Sequence, residues 1–474
     1  MPKPLLVMKF GGTSVGSPEA VRRAAELAAH AAADFRVVVV ASAMSKVTDL
    51  LLDTLEQGER GDETAVEANL QALLDKHMAA SAELVPSERR PAVEARLREL
   101  LDRYGRIARG MLLLRERPPR SVDEAVSTGE KLSTVLLAET LEAAGVPAQA
   151  VDSAELIVTD DLFGSASPLM EETRAKASAR LGPLLADGVL PVATGFNGAT
   201  AKGVPTTLGR GGSDFSAAIL AAALDADQLW IWTDVDGILT GDPRVISDAR
   251  VLPEVTYNEA AELAYAGAKV LHQRTLAPLI DKEIPVWIKN TFRPERPGTR
   301  IGPHAGERMG VRAITSLPKV SLISIEAVSF TQSGAQLMSR ALAAAVRAKV
   351  DVLMLSRSSF RQNFCMLVRT AEVEAVLESL RDELALELDH GYVHPIEIDH
   401  SVGLVAAVGE GMRGTPGLAG RLFTAISQHS INIIAIAQGS SELTIAVVVR
   451  QDQLEEAVRA IHSECGLGSA VDVA

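Results

Sequence analysis

The sequence predicts an α/β protein with a mostly parallel open sheet and helices on both faces, followed by two ferredoxin-like (α+β) modules. Two observations predict this architecture. Strand-length apolar runs alternate with helical stretches as far as residue 289, which is the pattern of βαβ units. From residue 319 onward, the order βαββα occurs twice, which indicates a duplicated split-βαβ module.

Composition narrows the functional class. The chain has 474 residues and a formal net charge of −14, with no cluster of basic residues that could neutralise nucleic-acid phosphates. The two cysteines cannot form a disulfide framework, so we expect a reducing compartment. The first residues do not read as a signal peptide, and no apolar run has membrane-spanning length. We therefore expect a cytoplasmic protein with no nucleic-acid or membrane partner.

The first strand, residues 5–8, ends at Lys9 and is followed by a glycine turn. Ser17 and Pro18 then stand in the favoured order for the start of a helix. A lysine at this place can put a point charge on a phosphate, although a lone strand-end lysine is more often solvated. The turn is not a P-loop, because that motif needs its lysine after the glycines.

The apolar run at residues 36–41 predicts a buried parallel strand, which leads into a small polar loop at 42–48. Residues 53–117 are helical and charged, and they carry no chemical signature. Ser127 and Glu130 have the spacing of a capping box before a helix at 131–144. From spacing alone, Glu130 is either a helix cap or a ligand group.

The stretch around which the chain is organised is 206–214, TTLGRGGSD, which runs directly into an apolar helix at 215–224. Its glycines permit positive φ and close approach of a ligand. Ser213 or Asp214 offers a side-chain cap, and Arg210 offers a planar fork for a carboxylate or phosphate. The junction between this loop and the helix is therefore a candidate anion-binding site, because the helix dipole is positive at its amino-terminal end.

A second polar turn follows the next strand, 228–233, and contains Asp234. Ligands in open α/β sheets bind at the carboxyl ends of strands, so two such loops in succession favour a functional site. Arg244 lies in a later turn, where it can reach a phosphate or remain in water. Helices are predicted at 258–266 and 268–280, with Lys269 at the start of the second, before a strand at 285–289.

Five motifs occur here in one order, and together they resemble those of aspartate kinases (aspartokinases). They are KFGGTSV at 9–15, STGE at 127–130, LGRGGSD at 208–214, WTDVDG at 232–237 and GAKVLH at 267–272. The resemblance implies an amino-acid-kinase catalytic domain at 1–305 and a linker at 306–318. Two ACT domains would follow, at 319–395 and 396–474. The linker is expected to add a strand to the second ACT unit, which would nest the first inside it.

The resemblance also implies a reaction and roles for residues. ATP would phosphorylate the side-chain carboxylate of L-aspartate, giving 4-phospho-L-aspartate, with Mg²⁺ bound through the nucleotide phosphates. Lys9 and Asp214 would be catalytic. The residues expected to hold aspartate are Ser42, Thr48, Glu130, Arg210 and Ser213. Those expected on the nucleotide side are Lys9, Gly11, Gly12, Gly211, Gly212, Thr233, Asp234, Arg244 and Lys269.

The ACT modules carry several of the departures from the family pattern. Leu353 stands where lysine-sensing relatives have an aspartate, and Arg357 stands where threonine-sensing relatives have a glutamine. The second module keeps Asn432 and Gln438 as candidate effector residues. The pair most resembles that of bifunctional aspartokinase–homoserine dehydrogenases, although no dinucleotide-binding region follows. The effector is left open between lysine, threonine, both and none, and a homo-oligomer joined through ACT domains is expected.

Two other functions remain open at this stage. One is a different carboxylate kinase of the same fold, acting on glutamate, acetylglutamate or carbamate, against which the ACT repeat and the STGE motif argue. The other is a catalytically silent amino-acid sensor. The presence of Lys9, Glu130, Arg210 and Asp214 argues against a silent site.

Overall fold

The structure is a computed structural model, and it describes residues 3–268, 271–306, 310–328, 334–358 and 363–468. Contacts divide the described chain into two compact units. The first draws on residues 1–238, 253–257 and 270–305. The second draws on residues 239–252, 258–269 and 306–474. The domain boundaries at 305, 318 and 395 stay a prediction, and the compact units add that two segments before residue 305 belong with the C-terminal half.

The elements up to residue 302 are, in chain order, β1 Leu5–Phe10, α1 Pro18–Ala31, β2 Arg36–Ala41, α2 Val47–Arg60, α3 Glu63–Leu84, α4 Arg90–Leu114, α5 Pro119–Val126, α6 Thr128–Ala143, β3 Ala148–Val151, β4 Val158–Thr159, α7 Met170–Ala186, β5 Leu190–Thr194, β6 Asn197–Thr200, β7 Pro205–Thr207, α8 Gly212–Ala223, β8 Gln228–Thr233, β9 Glu254–Thr256, α9 Tyr257–Tyr265, α10 Ala277–Ile280, β10 Val286–Asn290 and β11 Thr299–Gly302. The later elements are β12 Ala313–Ile325, α11 Gly334–Arg347, β13 Met354–Arg357, β14 Phe364–Arg369, α12 Val373–Glu383, α13 Ala385–Asp389, β15 Glu397–Val408, α14 Leu418–Gln428, β16 Ala435–Gln438, β17 Thr444–Arg450 and α15 Leu454–Glu464.

The first unit contains a sheet whose described strands have the order β3-β5-β2-β1-β8-β10-β11-β9. The pairs from β3 through β10 are parallel, and only the β10–β11 pair is antiparallel. This confirms the predicted α/β class. β2 is fully buried after Arg36, as a strand covered on both faces should be. The carboxyl ends of β5, β2, β1 and β8 therefore meet at one edge of the sheet.

Helices cover the sheet of the first unit. α6 and α8 are buried over most of their length, and α8 is almost entirely apolar after its first turn. α2, α3 and α4 pack together, and the hydroxyl of Tyr104 on α4 donates to the carbonyl of Leu51 on α2 at 2.8 Å. The predicted helical stretch at 53–117 is thus a packed layer whose buried residues share one hydrophobic core with the sheet. Within the described part of the chain, every helix is too short or too polar to cross a bilayer.

In the second unit, the described strands form one sheet with the order β13-β14-β12-β15-β17-β16. β12 and β15 pair antiparallel along most of their length, so the two βαββα modules share a continuous sheet. Ala313–Leu317, the first part of β12, pairs with the end of β15 at 404–408. The segment before the first module thus supplies a strand beside the second one.

The helix predicted at 268–280 is wrong in its described part. After Gly267, which has φ +111, only a 3₁₀ turn at Gln273–Thr275 and the short α10 are present. The apolar spacing there reflects contacts with other segments rather than one helical face.

Candidate active site

The candidate site lies where parallel strands of the first unit end. The N–H of Ser42, just after β2, donates to the carbonyl of Phe10 at 3.1 Å. The N–H of Gly195, just after β5, donates to the carbonyl of Ala41 at 2.8 Å. These bonds continue the ladder past the strand ends and hold the loops in register. Several residues singled out from the sequence therefore share one edge of the sheet.

Lys9 and Asp214 form a buried ion pair at this edge. Lys9 lies within β1, one residue before its end, and is only 8% exposed. The Nζ of Lys9 contacts the Oδ1 of Asp214, which lies in the first turn of α8. The pair itself has no net charge, but it lies beside the positive end of the α8 dipole, so this end of the helix is favourable for an anion that Lys9 can also contact.

The side-chain cap predicted for α8 is wrong. Gly211, at φ +68, is the N-cap residue, and no side chain caps the helix. Only a residue that tolerates the left-handed region fits this turn easily. Asp214 lies too far along the helix to cap it, and its carboxylate turns to Lys9 instead.

The motif glycines provide space around this pair. A Cβ on Gly11 would lie 3.4 Å from the Nζ of Lys9, and a Cβ on Gly212 would lie 2.6 Å from the ring of Phe196. A Cβ on Gly12 would lie 3.2 Å from the carbonyl of Ala43. The N–H of Gly11 and the N–H of Gly212 both donate to backbone carbonyls. In this conformation their N–H groups are already used, so these two glycines would let a ligand come close to the backbone rather than donate hydrogen bonds to it.

Glu130 is a buried carboxylate near Lys9. It is 3% exposed, and its Oε2 atom has no hydrogen-bond partner among the described residues. Burial raises the pKa of Glu130 to about 8, and hydrogen bonds from the backbone and the charge of Lys9 only partly oppose that rise. A carboxylate in such surroundings needs a cation to be stable in its ionised form. Glu130 is therefore suited to receive an ammonium group.

The capping-box interpretation of Ser127 and Glu130 is wrong. The hydroxyl of Ser127 donates backwards to the carbonyl of Glu124 at 2.7 Å and caps nothing. α6 begins at Thr128, immediately after α5, so Glu130 already lies in its first turn. A chain that enters a helix directly from another helix leaves no extended residue to act as a cap.

The other residues predicted to hold aspartate lie nearby in the same unit. Ser42 is buried, and its carbonyl accepts from Ser133 of α6 at 2.6 Å. Thr48 is half-buried in the first turn of α2. Arg210 is exposed between two glycines with positive φ, and Ser213 packs against Gly195, where a Cβ would lie 2.7 Å from that of Ser213. Arg210 thus extends from a glycine turn at the exposed rim.

The residues predicted on the nucleotide side are spread more widely. Thr233 ends β8, and its hydroxyl donates to the exposed Asp234 at 3.2 Å. Arg244 belongs to the second unit, where its guanidinium pairs with Asp242 at 2.5 Å. Lys269 lies outside the described residues. The structure therefore brings Thr233 and Asp234 to the strand ends and gives Arg244 a local partner.

Two groups at this edge escaped the sequence analysis. Asn290, at the end of β10, is buried and donates to Asp236 at 2.6 Å, so it shapes the turn after β8. The signal that could have found it is a polar residue at the end of an apolar strand. Arg274 donates to the carbonyl of Leu208 at 3.3 Å and lies over the ring of Phe215. The helix predicted across this segment concealed its role as a support of the glycine loop.

The candidate effector residues lie in the second unit, on an edge strand. Asn432 precedes β16 and Gln438 ends it, and both side chains are exposed. Exposure at a sheet edge leaves them accessible to a small ligand or to another copy of the module.

Comparison with known proteins agrees with this geometry. Residues 4–290 match the model of the amino acid kinase family, and residues 405–465 match an ACT domain. Lysine-sensitive aspartokinase 3 of Escherichia coli K12 is 33% identical over 465 residues, which cover 97% of this chain and 98% of that protein. The crystal structure of E. coli aspartokinase III in complex with aspartate and ADP superposes with a TM-score of 0.85 at 31% identity. It covers 97% of this chain and 99% of that one.

A plant relative adds a difference in length. The chloroplastic bifunctional aspartokinase/homoserine dehydrogenase 1 of Arabidopsis thaliana is 34% identical over 472 residues, which cover 96% of this chain. The match covers 50% of that protein, so the chain spans about half the length of this bifunctional relative. The amino-acid-kinase match over more than half the chain, and the E. coli relative matched along its whole length, lead to one conclusion. The chain belongs to the aspartokinase family.

Proposed function

We propose that this chain transfers the γ-phosphoryl group of ATP to the side-chain carboxylate of L-aspartate, giving 4-phospho-L-aspartate. The observation that carries the proposal is the Lys9–Asp214 pair beside the buried Glu130. The Oε2 atom of Glu130 has no hydrogen-bond partner among the described residues, and the charge of Lys9 is close enough to lower its pKa. A cationic centre for a phosphoryl group thus lies beside a buried anion for an ammonium group. The similar E. coli aspartokinase III was solved with aspartate and ADP, which supports both ligands.

The reaction brings a carboxylate against a phosphate, so the protein must offset the repulsion between two anions. Lys9 would contact the transferring phosphoryl group and stabilise the charge on its oxygens as the bond to the leaving group breaks. Asp214 would hold the ammonium group of Lys9 in place, because the buried pair leaves Lys9 little freedom to move. The first turn of α8 adds the positive end of its dipole.

Aspartate would be held at both ends of its backbone. Glu130 would bind the α-ammonium group, and Arg210 would bind the α-carboxylate through its planar fork. Ser42, Thr48 and Ser213 would supply hydroxyl groups around the substrate. This leaves the side-chain carboxylate as the free end that faces the phosphoryl group. Selectivity for aspartate over glutamate would follow from the fixed distance between these two ends and Lys9.

ATP would lie on the side of β8, with Thr233, Asp234, Gly11, Gly12, Gly211 and Gly212 lining it, and we include Arg244 and Lys269 from the family pattern. The oxygens of Thr233 and Asp234 are hard donors that suit Mg²⁺. The exposure of Asp234 fits an ion held mainly by phosphate oxygens and water. When bound, Mg²⁺ would neutralise part of the phosphate charge.

The paired ACT modules suggest regulation by an end product. The E. coli relative is named lysine-sensitive, and we propose lysine or threonine as the effector, with Asn432 and Gln438 among the contacts. The exposed edge strand β16 would be covered by a second copy of the chain, giving a homo-oligomer joined through ACT modules. Such an enzyme would act in the cytoplasm, at the first step of lysine, threonine and methionine synthesis.

The test is to trap the acyl phosphate with hydroxylamine in the presence of ATP, Mg²⁺ and L-aspartate. Lys9→Ala should lower kcat by a factor of about 10² to 10³, because a donor to the transition-state charge is lost. Lys282→Ala is the matched control, since Lys282 pairs with Asp225 just after the carboxyl end of α8. It should keep the wild-type rate.

Other outcomes would replace the proposal. Hydroxamate formed with glutamate, acetylglutamate or carbamate but not with aspartate would keep the fold and reject the substrate. If no acid gives a hydroxamate and lysine or threonine binds tightly, the chain would be a sensor rather than a kinase. Repeating the assay with lysine, threonine and both would then identify the effector.

A further inference from the structure

A hairpin leads into the glycine loop that carries Arg210. β6 and β7 pair antiparallel, and Asn197 lies opposite Thr207. Thr207 ends β7, and Arg210 follows three residues later. The position of Thr207 therefore sets the position from which Arg210 extends. Both strands of this hairpin are tied to the junction between α5 and α6.

The first tie is made by Asp123, near the end of α5. This carboxylate is 1% exposed and accepts from the N–H of Thr207 at 2.9 Å and from its hydroxyl at 2.8 Å. It also accepts from the N–H of Gly164 at 2.9 Å. Gly164 and Ser165 lie against Gly209, where a Cβ would be 3.1 Å from the carbonyl of Gly164. One buried carboxylate thus anchors the start of the glycine loop and the segment that packs on it.

The second tie is made by Asn197 on β6. Its side-chain nitrogen donates to the carbonyl of Ser127 at 3.1 Å, and the residue is 1% exposed. Ser127 stands between α5 and α6, and its own N–H donates to the carbonyl of Asp123. Glu130 follows three residues later in the first turn of α6. The junction that positions Glu130 is therefore bonded to both strands that position Arg210.

We propose that Asp123 and Asn197 are positioning residues for aspartate, because they fix the separation between Glu130 and Arg210. This inference rests on the proposed function, in which those two residues bind the ammonium and the α-carboxylate of the substrate. The groups held by this clamp do not change during phosphoryl transfer. They contribute equally to the ground state and the transition state, so loosening the clamp raises KM for aspartate and leaves kcat in place.

The test compares KM values for aspartate and ATP in purified full-length variants. Asp123→Asn places an NH₂ group among three hydrogen-bond donors, which weakens the tie. KM for aspartate should rise about tenfold or more, whereas kcat and KM for ATP should stay within about twofold of wild type. Thr207→Val removes only the hydroxyl and should raise KM for aspartate several-fold. Thr207→Ser restores the hydroxyl and should restore KM. Asn197→Ala removes the second tie and should act in the same direction.

The matched control is Asp227→Asn. Asp227 accepts from the N–H of Leu5 at 2.7 Å, beside the amino-terminal end of β1, so it is a carboxylate-to-backbone tie away from the clamp. Its KM for aspartate should stay at the wild-type value. Equal losses in kcat and both KM values for Asp123→Asn, or a Thr207→Ser variant no better than Thr207→Val, would mean a general structural role and overturn the inference. A wild-type chain that forms aspartyl hydroxamate while every variant keeps its KM would reject the positioning role alone. A wild-type chain that makes no aspartyl hydroxamate would reject the proposed function and the inference together.

Discussion

If Glu130 binds the substrate ammonium group as proposed, aspartate binding depends on pH in a direction that the raised pKa of Glu130 determines. Its pKa is raised from 4.5 to about 8 because the carboxylate is buried without a cation of its own. Only the ionised form can pair with a substrate ammonium group. The apparent KM is therefore the intrinsic value divided by the ionised fraction, in the same way as for any minor binding-competent state.

The magnitude follows from that pKa. At pH 6 about one Glu130 in a hundred is ionised, and at pH 8.5 most are. KM for aspartate should therefore fall by about 50- to 100-fold between pH 6 and pH 8.5, with a slope near one decade per pH unit below pH 7.5. The measurement is the hydroxamate assay at constant ionic strength. KM for ATP, measured at saturating aspartate, is the internal control.

Glu130→Gln separates the charge from the shape. The variant should bind aspartate weakly at every pH, and the slope of KM against pH should disappear. A wild-type KM that stays flat from pH 6 to pH 8 would refute the reasoning, because Glu130 would then be ionised at pH 6 or would not bind the ammonium group. A Glu130→Gln variant with the wild-type slope would assign the titration to another residue.

The same shift acts on folding stability. The native state retains a proton on Glu130 that the unfolded chain releases above pH 4.5, so the free energy of unfolding should decline from pH 4.5 to about 8. The shift corresponds to up to about 5 kcal/mol. Denaturant unfolding should show Glu130→Gln gaining stability relative to wild type as the pH rises through this window. A constant difference between the two proteins would contradict the assignment.

Two further predictions concern the fold. Gly211→Ala places a Cβ 2.5 Å from that of His272 at φ +68 and should lower the free energy of unfolding by about 2 kcal/mol or more. Gly110 lies near the carboxyl end of α4, and a Cβ there would have nothing within 4 Å, so Gly110→Ala should raise the free energy of unfolding by about 0.5–1 kcal/mol. Equal thermal shifts in the two variants would count against this. His77 is fully buried on α3 and burial lowers its pKa from 6.5 to about 4, so the unfolded chain takes up its proton first as the pH falls. The free energy of unfolding of wild type should fall by about 3 kcal/mol between pH 6.5 and 4 because of this group. His77→Leu should lack that loss when denaturant unfolding is measured at both pH values. A variant with the same pH dependence as wild type would exclude His77 as the cause.

Much of the fold could be predicted because it depends on local pattern. The run at 36–41 is a strand with the bounds predicted for it, and Ser17 caps α1 as expected, accepting from Ala20. Apolar periodicity reports burial, and burial of a strand or helix face is settled within a few residues of chain. At 268–280 the apolar spacing predicted a helix that is not present in the described part, because contacts with distant segments decided the conformation there.

The sequence analysis singled out Lys9, Glu130 and Asp214, but it could not predict their bonds, and it missed Asn290 and Arg274. Glycine-rich turns at strand ends identify where a ligand binds, and Lys9, Glu130 and Asp214 carry the charges that phosphoryl transfer needs. The sequence could not distinguish a cap from an ion pair at Asp214, nor a cap from a buried ligand group at Glu130. Each has a local partner at suitable spacing, and only the fold determines whether that partner is used.

The sequence by itself determined the α/β class, the duplicated C-terminal module and the family, whereas the roles of the site residues stay a prediction. The tertiary structure decided the partners: Lys9 with Asp214, Asp123 with Thr207, and Glu130 with backbone N–H groups only, so that its Oε2 atom has no partner among the described residues. The physical reason is range. Backbone preference and amphipathicity act within a few residues, whereas the pKa of a carboxylate and the bond it accepts depend on groups that folding brings from 84 residues away, as for Asp123 and Thr207.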